Sequence, residues 1–487
     1  MSDEAAPQMT ASAKNGAGAG GVVAVVGLGK IGLPLAIQYI QHGRRVIGCD
    51  INLAVVEGIN RGECHVHEEV GMEAEVARAV ADGLLRATTD TTAAVREADV
   101  VVVIVPVVVR GQGEVAFEGI DAATRAVGKG LHAGALVIYE TTLPVGTTSG
   151  RFRAILERES NLVAGRDFLL GYSPERVSSG VIFRDLRIYP KVVGGVDAAS
   201  TAAAVAFYRA VLDAEVIEMR SADDAEFVKL IETTYRDVNI ALANEYARFA
   251  DAHGLDMTAA AAAANTQPYS HIHQPGVGVG GHCIPVYPYF LMRGAAEGGL
   301  TLPRRARIVN DAMAEYAVDR IEAVIGPVAG QSVLILGVAY RGDVKETAFT
   351  SAALLRDALA ARGAQVYADD PLFTDDELRA HGYTPITPER SGAVRALIVQ
   401  AAHSAYQRLD LGAYPACRVV LDGRRALARA TVEAAGMAYV AMGDGRLAAE
   451  RTRTVTEDTE VTEVHGGGKS GAVETAPTAT ARSNPVE

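Results

Sequence analysis

The chain has 487 residues, 49% of them apolar and 22% charged, with 46 Lys plus Arg against 59 Asp plus Glu and a net charge of −13. That length supports two or three domains with ample cores. The acidic balance and a 6% aromatic content argue against a general binder of nucleic acid or anionic membrane, which needs a basic face or stacking rings.

In chain order, residues 1–20 are small and polar and read as a disordered lead-in. Their acidic start, MSDEAAPQMT, lacks the basic end and apolar core of a secretory signal. The longest apolar run, 100–109, is too short to cross a bilayer and contains Pro106. Residues 21–215 carry β-branched runs at Val22–Val26, Arg45–Cys49, 100–105, 135–139 and 168–171, alternating with helical segments. Such continuous apolar runs indicate parallel strands covered on both faces. Residues 216–325 open with a long helical stretch, about Ala222–His253, that ends at Gly254. It reads as a connecting helix suited to pairing subunits. A further helix at 259–264 and a glycine-rich loop follow. Residues 326–450 repeat the α/β pattern, with runs at Ser332–Leu336, 364–368, 396–399 and 418–421 and helices expected at 351–362 and 425–435. Residues 451–487, rich in Thr, Glu, Gly, Ser and Pro, read as a solvated tail. The expected fold is α/β: two Rossmann-like, doubly wound parallel-sheet domains joined by a long central helix.

The first strand runs into Gly27-Leu28-Gly29-Lys30-Ile31-Gly32. Gly27 permits a tight turn, Gly29 lets backbone approach a pyrophosphate, and Gly32 lets helix and strand pack closely. With Lys30 and Ile31 between them, these residues open a helix whose N–H groups face phosphates. Asp50, 23 residues after Gly27, is placed to bind ribose hydroxyls and to repel a 2′-phosphate, which favours NAD over NADP. A flavin, or a turn that keeps the fold without a cofactor, is the alternative.

The segment from Gly276 to Pro285 contains Gly276, Gly278, Gly280 and Gly281 before His282 and Cys283. So many glycines make a loop that lets backbone approach a ligand, and a cysteine at its end is a candidate nucleophile. Cys49, Cys64 and Cys417 read as structural; the four cysteines form neither a disulfide framework nor a zinc pattern, and a reducing cytoplasm fits best. The pairs His65/His67 and His271/His273 lack a ligand set, so no metal is expected. A nicotinamide cofactor with a cysteine nucleophile suggests oxidation of an aldehyde through a thioester.

The blocks VVGLGKIGLPLA, RATTD, ADVVVVIVP, YETTLPVGTT, GYSPERV, PKVVGG, KLIETTYRDVNIALANE, GVGVGGHCIPVYPYF, ARIVND and LILGVAYRGDVKET together resemble the UDP-glucose/UDP-N-acetylmannosamine 6-dehydrogenase family over about residues 20–445. RDVNIALANE and GGHCIP look more like its N-acetylmannosamine branch. The resemblance implies NAD on the first domain, the nucleotide of a UDP-sugar on the last, and a homodimer built on the central helix. It also implies a four-electron oxidation of the sugar C6 hydroxymethyl to a carboxylate, using two NAD. Carried over by motif, Cys283 is the thiohemiacetal and thioester nucleophile. Lys229 steadies the C6 oxyanion. Thr142, also near the cofactor, and Glu175 hold water and protons. Gly280, Gly281, Arg307, Tyr340 and Arg341 lie on the substrate side with Lys229.

Several positions depart from the family pattern. Tyr287 stands where the family has a water-activating Asp, and a phenol is a poor base at neutral pH. Thr233 replaces an oxyanion-donating Asn. The family's VPTP reads Val105-Pro106-Val107-Val108, its EPGL reads Glu69-Val70-Gly71-Met72, and Ala348 stands where an Arg is expected. Two alternatives follow: a relative that stops at the aldehyde or acts on an unusual nucleotide sugar, or a catalytically silent nucleotide-sugar-binding regulator. A 6-phosphogluconate-type dehydrogenase has no use for the cysteine loop or the second domain.

Overall fold

The computed structural model describes residues 20–110, 114–177, 180–295 and 299–446. The expected disordered ends therefore lie outside the described residues, apart from Gly20. The first sheet contains β1 (Val22–Val26), β2 (Arg45–Cys49), β3 (Leu85–Thr88) and β4 (Val100–Val103). After a small antiparallel hairpin of β5 (Val108–Arg110) and β6 (Glu114–Ala116), it continues with β7 (Leu136–Tyr139), β8 (Leu169–Tyr172), β9 (Lys191–Gly195) and β10 (Val216–Glu218). Its order is β10-β9-β8-β7-β4-β1-β2-β3. The second sheet, β11 (Ser332–Leu336), β12 (Gln365–Asp369), β13 (Val394–Val399), β14 (Val419–Asp422) and β15 (Ala438–Ala441), has the order β12-β11-β13-β14-β15 and is parallel throughout.

Alternate strand residues enter opposite cores, as a doubly covered sheet requires. Val23, Val25, Val100 and Val102 pack on one face of the first sheet and Ala24, Val26, Val101 and Val103 on the other. In the second sheet Val333, Ile335 and Ile398 face one core and Leu334, Leu336 and Leu397 the other.

The first sheet differs from the all-parallel expectation in one respect. β8 and β9 pair antiparallel, while β9 and β10 are parallel to each other. Among the described residues between β8 and β9 lies a single seven-residue helix, Ile182–Ile188, too little to cross back over the sheet. β9 therefore starts at the edge where β7 and β8 end. Its short KVVGG run carries a weak strand signal in the sequence, since glycines make up two of its five residues.

The central helix, Ala222–His253, has 32 residues and is about 48 Å long at 1.5 Å per residue. The Ser221 hydroxyl caps its start by accepting from the Asp224 N–H at 3.1 Å, and Gly254 ends it with φ of 68°. Asp237, buried in it, takes Nη1 of Arg307 at 2.7 Å and the Asn310 amide at 2.8 Å, both from the helix Thr301–Asp311. Asn244 donates to Asn310 at 2.9 Å and accepts from the N–H of Gly276 at 2.9 Å, which fixes the start of the cysteine loop. At the far end Asp251 accepts from the N–H groups of Gly443 and Gly445, both at 3.1 Å, and pairs with Arg320. One helix thus contacts both α/β units.

Candidate active site

The turn after β1 has the geometry that its glycines suggest. Gly27 has φ of 100°, and a Cβ on Gly32 would lie 1.8 Å from the Gly27 carbonyl oxygen. A Cβ on Gly29 would meet nothing within 4 Å, so the backbone there is open to a ligand. Asp50 accepts from the Leu28 N–H at 3.0 Å and the Asn52 N–H at 2.9 Å, which aims its carboxylate beside the turn. His65, weighed in the sequence only as a metal ligand, supports the turn through the Leu28 carbonyl at 2.8 Å. Lys30 pairs with Glu68 at 2.8 Å and lies 3.8 Å from Glu346 of the second unit. Ile31 precedes the helix Gly32–Gln41 and packs against the core.

The glycines of the cysteine loop allow a close approach to the second α/β unit. A Cβ on Gly278 would meet Ser351 at 2.7 Å, one on Gly280 would meet Tyr340 at 2.8 Å, and one on Gly281 would meet the Tyr340 ring at 3.1 Å. The Gly281 N–H donates to the Ala348 carbonyl at 2.8 Å. The loop thus packs closely on the chain's own second unit, which holds Cys283 near the turn after β11. Tyr340 stands there within electrostatic reach of Cys283, Glu346 and Lys30. The Arg341 guanidinium lies 5.7 Å over the Tyr340 ring. Exposed His282 points to Glu346 at 3.6 Å. Burial pushes the Cys49 thiol up to about 12 and that of Cys417 up to about 11, so both stay protonated and inert.

At the ends of β7 and β8 lies a buried polar cluster that sequence reading missed in part. Glu140 follows β7, Glu175 follows β8, and Lys191 opens β9. The Lys191 ammonium donates to Glu140 and to Glu175, each at 2.8 Å. The hydroxyls of Tyr39 and Tyr208 donate to Glu140 at 3.1 and 2.5 Å. Burial raises Glu140, whereas Lys191 holds Glu175 low against the same burial. The other oxygen of Glu175 accepts from the N–H groups of Arg176 and Val177 at 2.6 and 3.0 Å. Lys229, almost fully buried, donates to the main-chain carbonyl of Glu175 at 2.7 Å. Thr142, two residues beyond Glu140, is buried. Glu226 of the central helix secures the following loop, accepting from the N–H groups of Gly146 and Thr148 at 2.6 and 2.9 Å and from the Thr148 hydroxyl at 2.7 Å. Glu140 lies within the YETT block and Lys191 within PKVVGG, but their pairing became visible only through the reversal of β9.

Two other expected site residues are engaged within the fold. The Thr233 hydroxyl donates back to the carbonyls of Lys229 and Leu230 at 3.0 and 3.1 Å in its own helix. Arg307 is buried and bonded to Asp237 and Asp311. Tyr287 follows Cys283 in a tight turn, its N–H donating to the Cys283 carbonyl at 2.9 Å, and its ring packs with Phe290, Leu230 and Val286 within electrostatic reach of the sulfur. Arg424, missed from the sequence, lies behind the loop and donates to the Gln400 carbonyl at 2.8 Å. Among the described residues no group of three or more His, Cys, Asp or Glu is set to hold a metal ion.

Three models of the UDP-glucose/GDP-mannose dehydrogenase family match in sequence order: its NAD-binding domain at residues 22–212, its central domain at 223–312 and its UDP-binding domain at 334–429. The chain belongs to this family. Members similar to it include the UDP-N-acetyl-D-mannosamine dehydrogenase of Pyrococcus horikoshii, 33% identical over 82% of this chain and 95% of that protein. The enzyme of the same name from Methanocaldococcus jannaschii is 32% identical over 90% of this chain and all of that one. The solved structure of the Pyrococcus horikoshii UDP-D-ManNAc dehydrogenase superposes with a TM-score of 0.78 at 30% identity, covering 87% of this chain and 99% of that one. That of a UDP-glucose dehydrogenase from Pyrobaculum islandicum superposes at 0.77 and 27% identity, covering 88% and 99%. The turn at Gly27, Gly29 and Asp50 thus belongs to the family's NAD-binding domain and the β11 turn at Tyr340 to its UDP-binding domain. The open backbone at Gly29 fits a bound dinucleotide.

Proposed function

We propose that this family member oxidises the C6 hydroxymethyl of a UDP-sugar, of the UDP-N-acetylhexosamine or UDP-glucose type, to the uronic acid through a thiohemiacetal and a thioester on Cys283. The observation that carries this reading is the packing of the cysteine loop, through Gly280 and Gly281, on Tyr340 of the UDP-binding domain, with Cys283 and Lys30 of the cofactor turn both within electrostatic reach of that tyrosine. NAD, when bound, accepts the hydride in each of the two oxidations. The chain's own residues do the rest. The ammonium of Lys229, fixed on the Glu175 carbonyl, stabilises the negative oxygen formed at C6. Thr142 and Glu175 order the groups around the sulfur, and Gly280, Gly281, Tyr340 and Arg341 border the sugar nucleotide. Thr233 and Arg307 act as supports for this arrangement.

The division into domains at 21–215, 216–325 and 326–450 follows the same reading. So does a homodimer on the central helix, where Phe227, Ile231, Tyr235, Leu242, Tyr246 and Phe249 form an exposed apolar stripe at helical spacing. No described helix is long and apolar enough to cross a membrane, and a cytoplasmic site supplies both NAD and UDP-sugars.

The deciding experiment incubates the protein with NAD and candidate UDP-sugars and counts NADH per product. Two NADH per UDP-uronic acid, abolished by Cys283→Ala, is the expected result; undiminished acid formation by that variant overturns the proposal. A second reading, altered chemistry that stops at the aldehyde, draws on Tyr287 beside the sulfur and on the inward-turned Thr233 hydroxyl. It gives one NADH per product and no acid.

A further inference from the structure

The segment 173–177, which follows β8, is tied to the start of β9 at three points. The Ser173 hydroxyl donates to the Val192 carbonyl at 2.8 Å, the Lys191 ammonium donates to the Glu175 carboxylate at 2.8 Å, and Nη1 of Arg176 donates to the Pro190 carbonyl at 3.0 Å. On its other side the segment meets one face of the central helix, where Lys229 and Glu232 stand three residues apart. The Lys229 ammonium donates to the Glu175 carbonyl at 2.7 Å, and Nε and Nη2 of Arg176 donate to the Glu232 carboxylate at 3.2 and 3.3 Å. Lys191 is itself immobilised: it is 4% exposed, and its second carboxylate, Glu140, is held by the hydroxyls of Tyr39 and Tyr208.

A buried ion cluster is often no more stabilising than well-packed apolar residues of the same volume. What apolar packing does not supply is direction. A lysine carries three donors on a flexible four-carbon stem, so tying one donor to a fixed carbonyl restricts where the others point. The Glu175 carbonyl can do this only while the segment around it is itself fixed, and its two side-chain anchors converge on adjacent residues, Pro190 and Lys191.

We propose that Lys191 is a positioning residue for Lys229, acting through the Glu175 carbonyl, with Arg176 as the second arm of the same clamp. This deepens the function proposed above and rests on its assignment of Lys229 to the C6 oxygen. Lys191 acts through this chain of bonds rather than on the sugar. With the clamp closed, the Lys229 ammonium already stands where negative charge develops, and no reorganisation is needed at the moment of reaction. With the clamp broken, the ammonium remains in the site but samples other directions.

The first test needs no substrate. The full-length protein is pulse-labelled at one pH, lysines by reductive dimethylation and thiols by iodoacetamide, and the labels on Lys229 and Cys49 are followed by peptide mass. Cys49 is 1% exposed in the core of the first sheet and reports general loosening. In Lys191→Met and in Arg176→Met, Lys229 is expected to label about tenfold faster through local opening, with Cys49 as slow as in the wild type. Lys191→Arg is expected to restore slow labelling. Lys229 labelling unchanged in a folded variant, or Lys229 and Cys49 accelerating in step, overturns the clamp. Should Lys191→Met fail to fold, Arg176→Met, which leaves the buried cluster whole, decides by the same criteria.

The second test uses NAD and UDP-N-acetyl-D-mannosamine. The kcat of both variants is expected to fall about tenfold with KM nearly unchanged, as loss of an interaction made in the transition state requires, and Lys191→Arg recovers most of it. A raised KM at unchanged kcat overturns the positioning role. If the wild-type protein oxidises no UDP-sugar, the functional reading fails, while the labelling still decides whether Lys191 and Arg176 hold Lys229 in place.

Discussion

Gly29 and Gly32 stand three residues apart and do different things. A methyl group on Gly32 would collide with backbone that has no room to retreat, whereas one on Gly29 would point into open space. Gly32→Ala is therefore expected to destabilise the first unit by several kcal/mol, about what other overpacked core sites lose. Gly29→Ala is expected to leave the melting temperature nearly unchanged and to weaken NAD binding by about tenfold or more, since its backbone must approach the pyrophosphate. Thermal melts and NAD titrations of the two variants separate these outcomes. This turn was legible from the sequence because the chemistry dictates glycine at fixed offsets. Lys191 was not: an isolated lysine reads as a solvated charge, and only the pairing of β9 brings it between two carboxylates. Lys191→Met leaves Glu140 and Glu175 buried without their cation and is expected to cost about 3–5 kcal/mol in denaturant unfolding, with Lys191→Arg recovering part of it.

At the level of elements, the central helix was readable in length and in its end, because Gly254 is an ordinary stop signal, while its start is capped by Ser221. Its network of Asp237, Asn244 and Asp251 was hidden, since each partner lies tens of residues away. Burial pushes Glu226 of this helix up to about 7, against the hydrogen bonds it accepts from the 146–148 loop. A carboxyl raised in the folded state stabilises it below the ordinary value of 4.5, and that contribution is lost as pH rises through about 7. Glu226→Gln is expected to flatten the decline in thermal midpoint over that interval, measured in matched buffers. The opposite face of the helix carries the apolar stripe. Tyr235 and Tyr246 are 54% and 45% exposed, and the double change to Glu is expected to shift the protein from dimer to monomer in size-exclusion chromatography with light scattering.

Across the whole molecule, the second α/β unit repeats the turn of the first but closes it. Gly337 has φ of 90° after β11, as Gly27 has 100° after β1. Asp370 accepts from the N–H groups of Val338 and Ala339 at 2.8 and 3.0 Å, much as Asp50 accepts from Leu28. Here, though, buried His403 contacts the Asp370 carboxylate at 3.1 Å and the Leu372 N–H donates to its other oxygen at 3.0 Å. The Asp370 carboxylate is thus buried beneath a histidine, whereas that of Asp50 is half-buried beside an open turn. Calorimetry is expected to find one NAD per chain rather than two. The repeated α/β pattern was plain in the sequence, but this closure depends on a histidine 33 residues away and on its burial.

Lys229 and Asn244 sit 15 residues apart on one unbroken helix, about 22 Å along its axis. One steadies the reacting oxygen in the proposed reaction, and the other moors the loop bearing the sulfur. Their phase around the axis is as fixed as their separation, and each residue inserted between them turns everything beyond it by about 100°. A designer grafting a new nucleotide-recognition module onto this scaffold must therefore splice after Asp311, where the helix and the loop it carries remain a single inherited piece.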